Sequence, residues 1–162
     1  MTIEVSENNK KNDIDRYWNE FLQKTGRNPE LRYQGSFFFE LSEYWANELL
    51  QLVLVGQKKA TCSSLYAFEI EQERIPQKGD YSIVTDFAGN PRCIIETTNV
   101  MTLPFSAMTF DICMREGEDD NLSSWKRGHE RFFRDEARLM GYTFSEDMPV
   151  VFEDFHVVYP IK

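Results

Sequence analysis

The chain has 162 residues and a formal net charge of −9, and both numbers exclude classes of protein. The length fits a single domain, and 13 Phe, 7 Tyr and 3 Trp supply large apolar side chains for a core. The acidic balance argues against broad duplex nucleic-acid binding, which needs a basic face. It leaves room for a local basic pocket that binds a nucleoside or one flexible strand.

Cysteine content and the N-terminal sequence indicate the compartment. Cys62, Cys93 and Cys113 lie far apart and lack C-x-x-C spacing, which predicts reduced thiols and no zinc site. The polar segment 1–12 has no apolar signal region, and no apolar run approaches membrane-spanning length. We therefore predict a soluble, cytoplasmic protein that does not contact a membrane.

Apolar spacing predicts alternating helices and strands without internal repeats. In chain order the predicted elements are a helix over 13–24, an irregular connection over 27–39, a helix over 43–55, a short helix ending at 73, strands over 81–87 and 92–101, a short helix over 104–115, a helix ending at 140 and a strand over 150–159. Ser42 is the expected N-cap of the second helix, whose apolar face includes Trp45. Ser63 or Ser64 is the expected cap of the third. This order predicts an α+β fold, a small mixed sheet or barrel with helices around it.

The segment 56–61, Gly-Gln-Lys-Lys-Ala-Thr, follows the apolar end of the second helix. Gly56 can adopt the left-handed conformation that ends a helix. Lys58 beside the Thr61 hydroxyl can act as a base beside a nucleophile, or the lysine can bind an anion. Burial lowers a lysine pKa whereas a carboxylate raises it, so Lys58 is either a desolvated base or an electrostatic stabiliser. From the spacing alone, a helix cap followed by solvated lysines is the favoured interpretation.

Two later segments carry further candidates. Residues 116–120, Glu-Gly-Glu-Asp-Asp, crowd like charges, which predicts either a partner or a lead-in to the next helix N-terminus. The segment 125–134 interleaves aromatic and basic residues, with Ser123 or Ser124 as the expected helix N-cap and Gly141 as its end. Aromatic and basic residues together can hold a nucleobase and a phosphate, but helical spacing favours core aromatics and a structural His129. Two histidines give little support for a His-based metal site.

The order of these motifs resembles the ASCH superfamily, in particular its longer bacterial branch. The resemblance rests on Gly56-x-Lys58-x-x-Thr61, the Gly89-Asn90-Pro91 hairpin, the acidic segment 116–119 and the Trp125/His129 helix, and it covers about residues 30–160. It implies a PUA-like small β-barrel with flanking helices over residues 30–162. Residues 1–29 are then a tail and helical extension packed on that domain.

The resemblance also implies alternative functions. One small bacterial branch hydrolyses N(4)-acetylcytidine, and its catalytic Lys, Thr and Glu correspond to Lys58, Thr61 and Glu118. Another branch is a ribonuclease on single-stranded RNA that uses the same lysine, and RNA binding is a third proposal for the family. We expect Gly56, Glu116, Arg92, Trp125 and His129 to be substrate-binding residues. The expected partner is a modified nucleoside or a short single-stranded RNA, and we expect no cofactor and no metal.

Overall fold

A five-stranded sheet curled into a half-barrel, with helices around it, forms the scaffold of the protein. The structure is a computed structural model that describes the backbone of residues 2–160 and the side chains of residues 7–160. The helices are α1 (Thr2–Thr25), α2 (Glu43–Leu54), α3 (Leu65–Glu71), α4 (Phe110–Cys113) and α5 (Leu122–Met140), and the strands are β1 (Gly35–Phe37), β2 (Ala60–Ser64), β3 (Tyr81–Thr85), β4 (Pro91–Pro104) and β5 (Pro149–Tyr159). Short 3-10 turns cover Phe105–Ala107 and Met114–Glu116.

The strand order is β1-β3-β4-β5-β2, with β1 parallel to β3 and the other pairs antiparallel. β4 and β5 form the longest pair, and its register shifts between Ile94 and Ile95 and again between Thr97 and Asn99. Shifts of this kind bend a strand and increase its twist, which curls a sheet. The α+β class and the PUA-like barrel expected from the sequence are confirmed.

Apolar clusters line both faces of the sheet and join it to the helices. α1 packs through Trp18 and Phe21 on Ile83 and Ile94. α2 packs through its buried leucines in a cluster that also contains Phe39 and Phe155. α5 packs through Trp125 and Phe133 in a third cluster with Phe105 and Phe152. Among the described residues, no helix is long and apolar enough to span a bilayer.

Several predicted boundaries are confirmed. Ser42 caps α2 by accepting a hydrogen bond from the Trp45 backbone, and Ser64 caps α3 by accepting one from Tyr66. α5 ends at Gly141, whose φ of 87° is left-handed. The β3–β4 hairpin and the final strand also lie where the sequence placed them. The three cysteines are free and buried, as expected of reduced thiols.

Other boundaries were wrong. α1 begins at Thr2, so the helix includes most of the segment predicted to be a polar tail. The predicted irregular connection contains β1, and β2 follows the Gly56 turn where no strand was expected. Both strands are short and take their stability from neighbours that are distant in sequence, which local periodicity does not show.

Three helix predictions also need correction. Trp45 was placed on the apolar face of α2 with Leu49 and Val53, which are buried, but Trp45 itself is 43% exposed. The N-cap of α5 is Asn121, which accepts from the Ser124 backbone, and not Ser123 or Ser124. The single helix expected over 104–115 is broken into α4 and two 3-10 turns. The division of the chain at residue 30 stays a prediction.

Candidate active site

The turn from α2 to β2 fixes the position of Lys58. Gly56 adopts a left-handed φ of 80°, which reverses the chain after the helix. The backbone N–H groups of Gln57 and Lys58 then both donate to the Leu52 carbonyl, at 2.9 and 3.0 Å. These bonds use a carbonyl that the end of the helix leaves without a partner, so the turn is rigid where the lysine side chain begins.

A second segment runs beside this turn and brings the acidic residues to it. The Lys59 N–H donates to the Arg115 carbonyl at 3.0 Å, and the Gln57 side-chain amide donates to the Gly117 carbonyl at 2.7 Å. Gly117 has a φ of 68°, and a Cβ there would lie 2.3 Å from the Gln57 carbonyl oxygen. Only glycine permits this close approach, which places the carboxylates on either side of Gly117 within reach of the lysine.

Lys58 forms ion pairs with two carboxylates. Its Nζ lies 2.7 Å from Glu118 Oε2 and 3.3 Å from Glu116 Oε1. The Lys58 and Glu116 side chains are 1% and 2% exposed, whereas Glu118 is 17% exposed. The lysine is therefore a buried cation, and of its two partners Glu118 is the one that solvent reaches. This geometry excludes the solvated-lysine interpretation of the turn.

Glu116 connects Lys58 to the α5 helix. Its Oε2 accepts from the Trp125 indole N–H and lies 3.1 Å from His129 Nε2. The other imidazole nitrogen, Nδ1, lies 3.0 Å from the Trp125 carbonyl oxygen, and the two rings stack 3.9 Å apart. A carbonyl and a carboxylate only accept hydrogen bonds, so both ring nitrogens of His129 donate when the imidazole is protonated. The contacts thus favour the imidazolium.

The pKa shifts in the cluster agree with this arrangement. Burial lowers the pKa of Lys58, but Glu118 and Glu116 outweigh burial and the net shift is upward. Burial would likewise lower the pKa of His129, and Glu116 reverses that shift. Burial would raise the pKa of Glu116, but His129 and Lys58 hold it well below its usual range. Lys58 is therefore a cation at neutral pH and Glu116 is an anion.

Glu118 differs electrostatically from Glu116. Burial and the nearby Glu116 raise the pKa of Glu118, and their combined effect exceeds the lowering by Lys58. Two carboxylates whose pKa values move in opposite directions are suited to different tasks. The group with the raised pKa, Glu118, is also the more accessible one, so it is the member of the cluster that can exchange a proton with a ligand.

Two carboxylates and the imidazole of this cluster have the spacing of a metal site. Ligand atoms of Glu116, Glu118 and His129 all lie within 4.8 Å of one another. The Lys58 ammonium contacts both carboxylates and already supplies the balancing positive charge. The Lys58 ammonium would repel a divalent ion beside it, so we assign the balancing of the carboxylate charges to the lysine.

Within residues 7–160, Thr61 does not join the hydrogen bonds of this cluster. It is half-buried in β2 and pairs in register with Glu153 of β5. Because side chains alternate between the two faces of a strand, Glu153 and Phe155 project from the same face of β5. Phe155 belongs to the apolar cluster in which α2 packs. That cluster contains Phe39, whose ring centroid lies 5.2 Å from Lys58 Nζ. Among the described residues, Thr61 forms no hydrogen bond with Lys58 or Glu118.

The remaining predicted residues occupy different environments. Trp125 is fully buried against Phe105, so it presents no surface to a ligand and acts through its bond to Glu116. Gly56 forms the turn itself. Arg92 is exposed at the start of β4, where its carbonyl accepts from Tyr17 of α1, and it makes no contact with the cluster within residues 7–160. A contact between Arg92 and a ligand stays a prediction.

Two residues near the site were not singled out from the sequence. Phe39 contacts Lys58 but lies in a run of three phenylalanines that looks like any core segment. Glu153 is buried opposite Thr61, and the signal for it was an acidic residue in the middle of an apolar strand. Phe39 meets Lys58, and Glu153 meets Thr61, because the fold brings distant segments of the chain together.

A curled half-barrel with flanking helices and a buried lysine at a helix-to-strand turn defines a PUA-like domain. The family model of the ASCH domain matches residues 35–159, and the chain belongs to this family. Its members are generally RNA-binding or hydrolase-like.

Two solved structures are similar over most of their length. One is an ASCH domain from Lactobacillus crispatus JV V101, with 34% identity, a TM-score of 0.79 and coverage of 90% of this chain and 93% of that one. The other is protein EF3133 from Enterococcus faecalis V583, with 34% identity, a TM-score of 0.82 and coverage of 91% and 88%. No protein of curated function matches the chain significantly.

Proposed function

We propose that the protein hydrolyses the acyl group of an acylated nucleoside of the N(4)-acetylcytidine type, with Lys58, Thr61 and Glu118 as its catalytic residues. One observation supports this most directly. Lys58 is buried and charged, and its shortest ion pair, 2.7 Å, is with the more accessible of its two partner carboxylates. A fixed positive charge can stabilise the oxyanion of amide hydrolysis, and a group beside it that transfers protons can protonate the leaving amine.

Lys58 acts as an electrostatic stabiliser in this proposal. Because two carboxylates raise its pKa, it stays protonated at neutral pH and is a poor general base. A charge held in a site with little water stabilises a developing oxyanion strongly, since it does not reorganise during the reaction. The sequence left Lys58 as either a desolvated base or an electrostatic stabiliser, and its contacts with the two carboxylates favour the stabiliser.

Glu118 transfers protons and Thr61 attacks the carbonyl carbon. The raised pKa of Glu118 lets it give a proton to the departing exocyclic amine and take one from water. The Thr61 hydroxyl is on β2, the strand that follows the Lys58 turn. The acidic character of the chain favours a nucleoside over a long polyanion as the substrate.

Turnover of N(4)-acetylcytidine tests the proposal. Purified protein should release acetate and cytidine, separated by chromatography, and Lys58→Ala and Glu118→Gln should each lower kcat by about a hundredfold or more. Lys59→Ala is the matched control, because Lys59 is the adjacent lysine and is exposed. Its activity should be unchanged.

Different results would support other functions. No turnover of a panel of acylated nucleosides would refute the hydrolase. Cleavage of single-stranded RNA without added metal would identify a ribonuclease, and salt-sensitive binding of a short RNA without product would identify an RNA-binding module. The same Lys58→Ala variant should reduce either activity if the lysine contacts the ligand.

A further inference from the structure

Glu153 is a buried carboxylate that the proposed catalytic set does not use. It lies in the middle of β5, is 8% exposed, and pairs in register with Thr61 on the neighbouring β2. Directly opposed residues of antiparallel strands project from the same face with Cβ atoms about 5 Å apart. The Glu153 side chain therefore starts beside Thr61 on a shared face and is long enough to approach its hydroxyl.

A neighbour on the opposite side holds one oxygen of this carboxylate. Thr97 of β4 donates its hydroxyl proton to Glu153 Oε1 at 2.6 Å. Because β5 lies between β4 and β2, Thr97 and Thr61 flank Glu153 from its two neighbouring strands. Within residues 7–160, Glu153 has no ion pair and no second hydrogen-bond donor. Its Oε2 thus keeps its capacity to accept a proton.

We propose that Glu153 is the general base that activates Thr61. This inference rests on the proposed hydrolase. That proposal names no group that takes the proton of the Thr61 hydroxyl, and the inference assigns one. Lys58 stays protonated, and Glu118 is engaged by the Lys58 ammonium at 2.7 Å. Glu153 is the carboxylate that faces the hydroxyl across the strand pair. Among residues 7–160 no direct hydrogen bond joins the two groups, so in this proposal the proton passes after rotation of the Thr61 side chain or through one water.

The reaction balances with these groups. The Thr61 oxygen attacks the acyl carbonyl carbon as its proton passes to Glu153, and the oxyanion forms near Lys58. Glu118 enters the cycle protonated. Collapse breaks the bond from carbon to the exocyclic nitrogen, which leaves as the amine with the proton of Glu118. Water then attacks the threonine ester and gives one proton to Glu118. The carboxylic acid leaves as Glu153 returns the first proton to Thr61.

The electrostatic environment of Glu153 suits a base. Burial raises its pKa, the Thr97 hydrogen bond opposes that rise, and the negative Asp80 adds to it. Asp80 itself is paired with Arg74 at 2.8 Å. A carboxylate without its own cation binds a proton more strongly than an exposed one, so it takes a proton from a hydroxyl more readily.

The test compares Glu153→Gln with Glu96→Gln, a carboxylate on β4 paired with exposed His156 and outside the site. Glu153→Gln keeps the side-chain shape and an acceptor for Thr97, and thermal unfolding of each variant reports folding. Two assays are run. One measures kcat and KM on N(4)-acetylcytidine across pH. The other uses p-nitrophenyl acetate and peptide mass spectrometry to detect acetylation of Thr61, which needs no nucleoside.

Glu153→Gln should lower kcat by about a hundredfold or more with little change in KM, remove the acidic limb of the pH profile, and abolish acetylation of Thr61. Glu153→Asp should restore part of kcat and part of the acetylation of Thr61. If nucleosides are not hydrolysed but Thr61 is acetylated only when Glu153 is present, the base assignment holds and the nucleoside proposal fails. The assignment is overturned if the wild type leaves Thr61 unacetylated, if Glu153→Gln is acetylated as fast as the wild type, or if it retains a nucleoside turnover that the wild type shows.

Discussion

Replacement of Lys58 by methionine should destabilise the protein strongly. The methionine fills a similar volume but leaves Glu116 and Glu118 without their shared cation. Removal of one partner from a buried ion pair costs about 3–5 kcal/mol, because the remaining charge stays desolvated. For a domain of this size that loss lowers Tm by roughly 6–20 °C. Urea unfolding followed by circular dichroism measures the free energy of unfolding.

The pH dependence of that loss identifies its cause. Without Lys58 the pKa of Glu118, which burial and Glu116 already raise, rises further above its unfolded value, whereas His129 still lowers the pKa of Glu116. Stability that depends on a raised pKa is present at low pH and is lost as pH rises through the folded pKa. The deficit of the variant should therefore be larger at pH 8 than at pH 5.

A double-mutant cycle isolates the ion pair itself. Glu118→Gln in the Lys58→Met background should cost less than in the wild type, with a coupling energy of about 1–3 kcal/mol. Lys59→Met is the control and should stay within about 0.5 kcal/mol of the wild type, since Lys59 is exposed. A Lys58→Met loss below about 1 kcal/mol that does not vary with pH would refute the buried-cation argument.

Three further predictions concern the parts that hold the cluster together. Gly117→Ala should cost about 2 kcal/mol or more in urea unfolding, because the new Cβ would lie 2.3 Å from the Gln57 carbonyl oxygen at a left-handed φ. Trp125→Phe should cost about 1–3 kcal/mol in the same assay, since buried Glu116 loses a hydrogen-bond donor. His129→Gln should remove a component of stability that is present below about pH 6.5 and is lost as pH rises through the raised folded pKa of His129, measured as Tm against pH.

Each of these has a control elsewhere in the chain. Gly26 has a left-handed φ of 65° with nothing within 4 Å of a new Cβ, so Gly26→Ala should show backbone strain alone. Trp18→Phe loses a weaker bond, 3.3 Å from the indole nitrogen to the Leu31 carbonyl oxygen, and should cost less than Trp125→Phe. His156→Gln removes an exposed histidine that lies outside the cluster and should change Tm less than His129→Gln does. Equal effects within any pair would contradict the prediction for that pair.

The sequence predicted the parts of the fold that local signals determine. Ser42 and Ser64 cap helices because a short polar side chain before an apolar run has few other roles. β1 and β2 were missed because they depend on pairing with distant strands. Trp45 was expected to be buried because it shares a helix face with Leu49 and Val53, which are buried, but helical spacing does not show where along the helix that face stops meeting the core.

The same limit applies to the site. Motif order pointed to Lys58 and Glu118, which the fold brings to 2.7 Å across 60 residues of chain. Spacing could not tell whether the lysine is a base or a fixed charge, because its pKa depends on how many carboxylates reach it. Nor could it show that Glu153 faces Thr61, since a one-residue change in strand register would place it on the other side of the sheet.

Charge balance within the cluster separates the roles of its two glutamates. The positive charges of Lys58 and His129 equal the negative charges of Glu116 and Glu118 when all four are ionised. Glu116 contacts both cations and is buried, so protonating it would leave two cations without their shared anion. Glu118 contacts Lys58 alone and meets solvent, so it gains a proton at lower cost. A ligand that brings negative charge to Lys58 favours the protonated form of Glu118, so the acid that the leaving amine needs is present when the oxyanion forms.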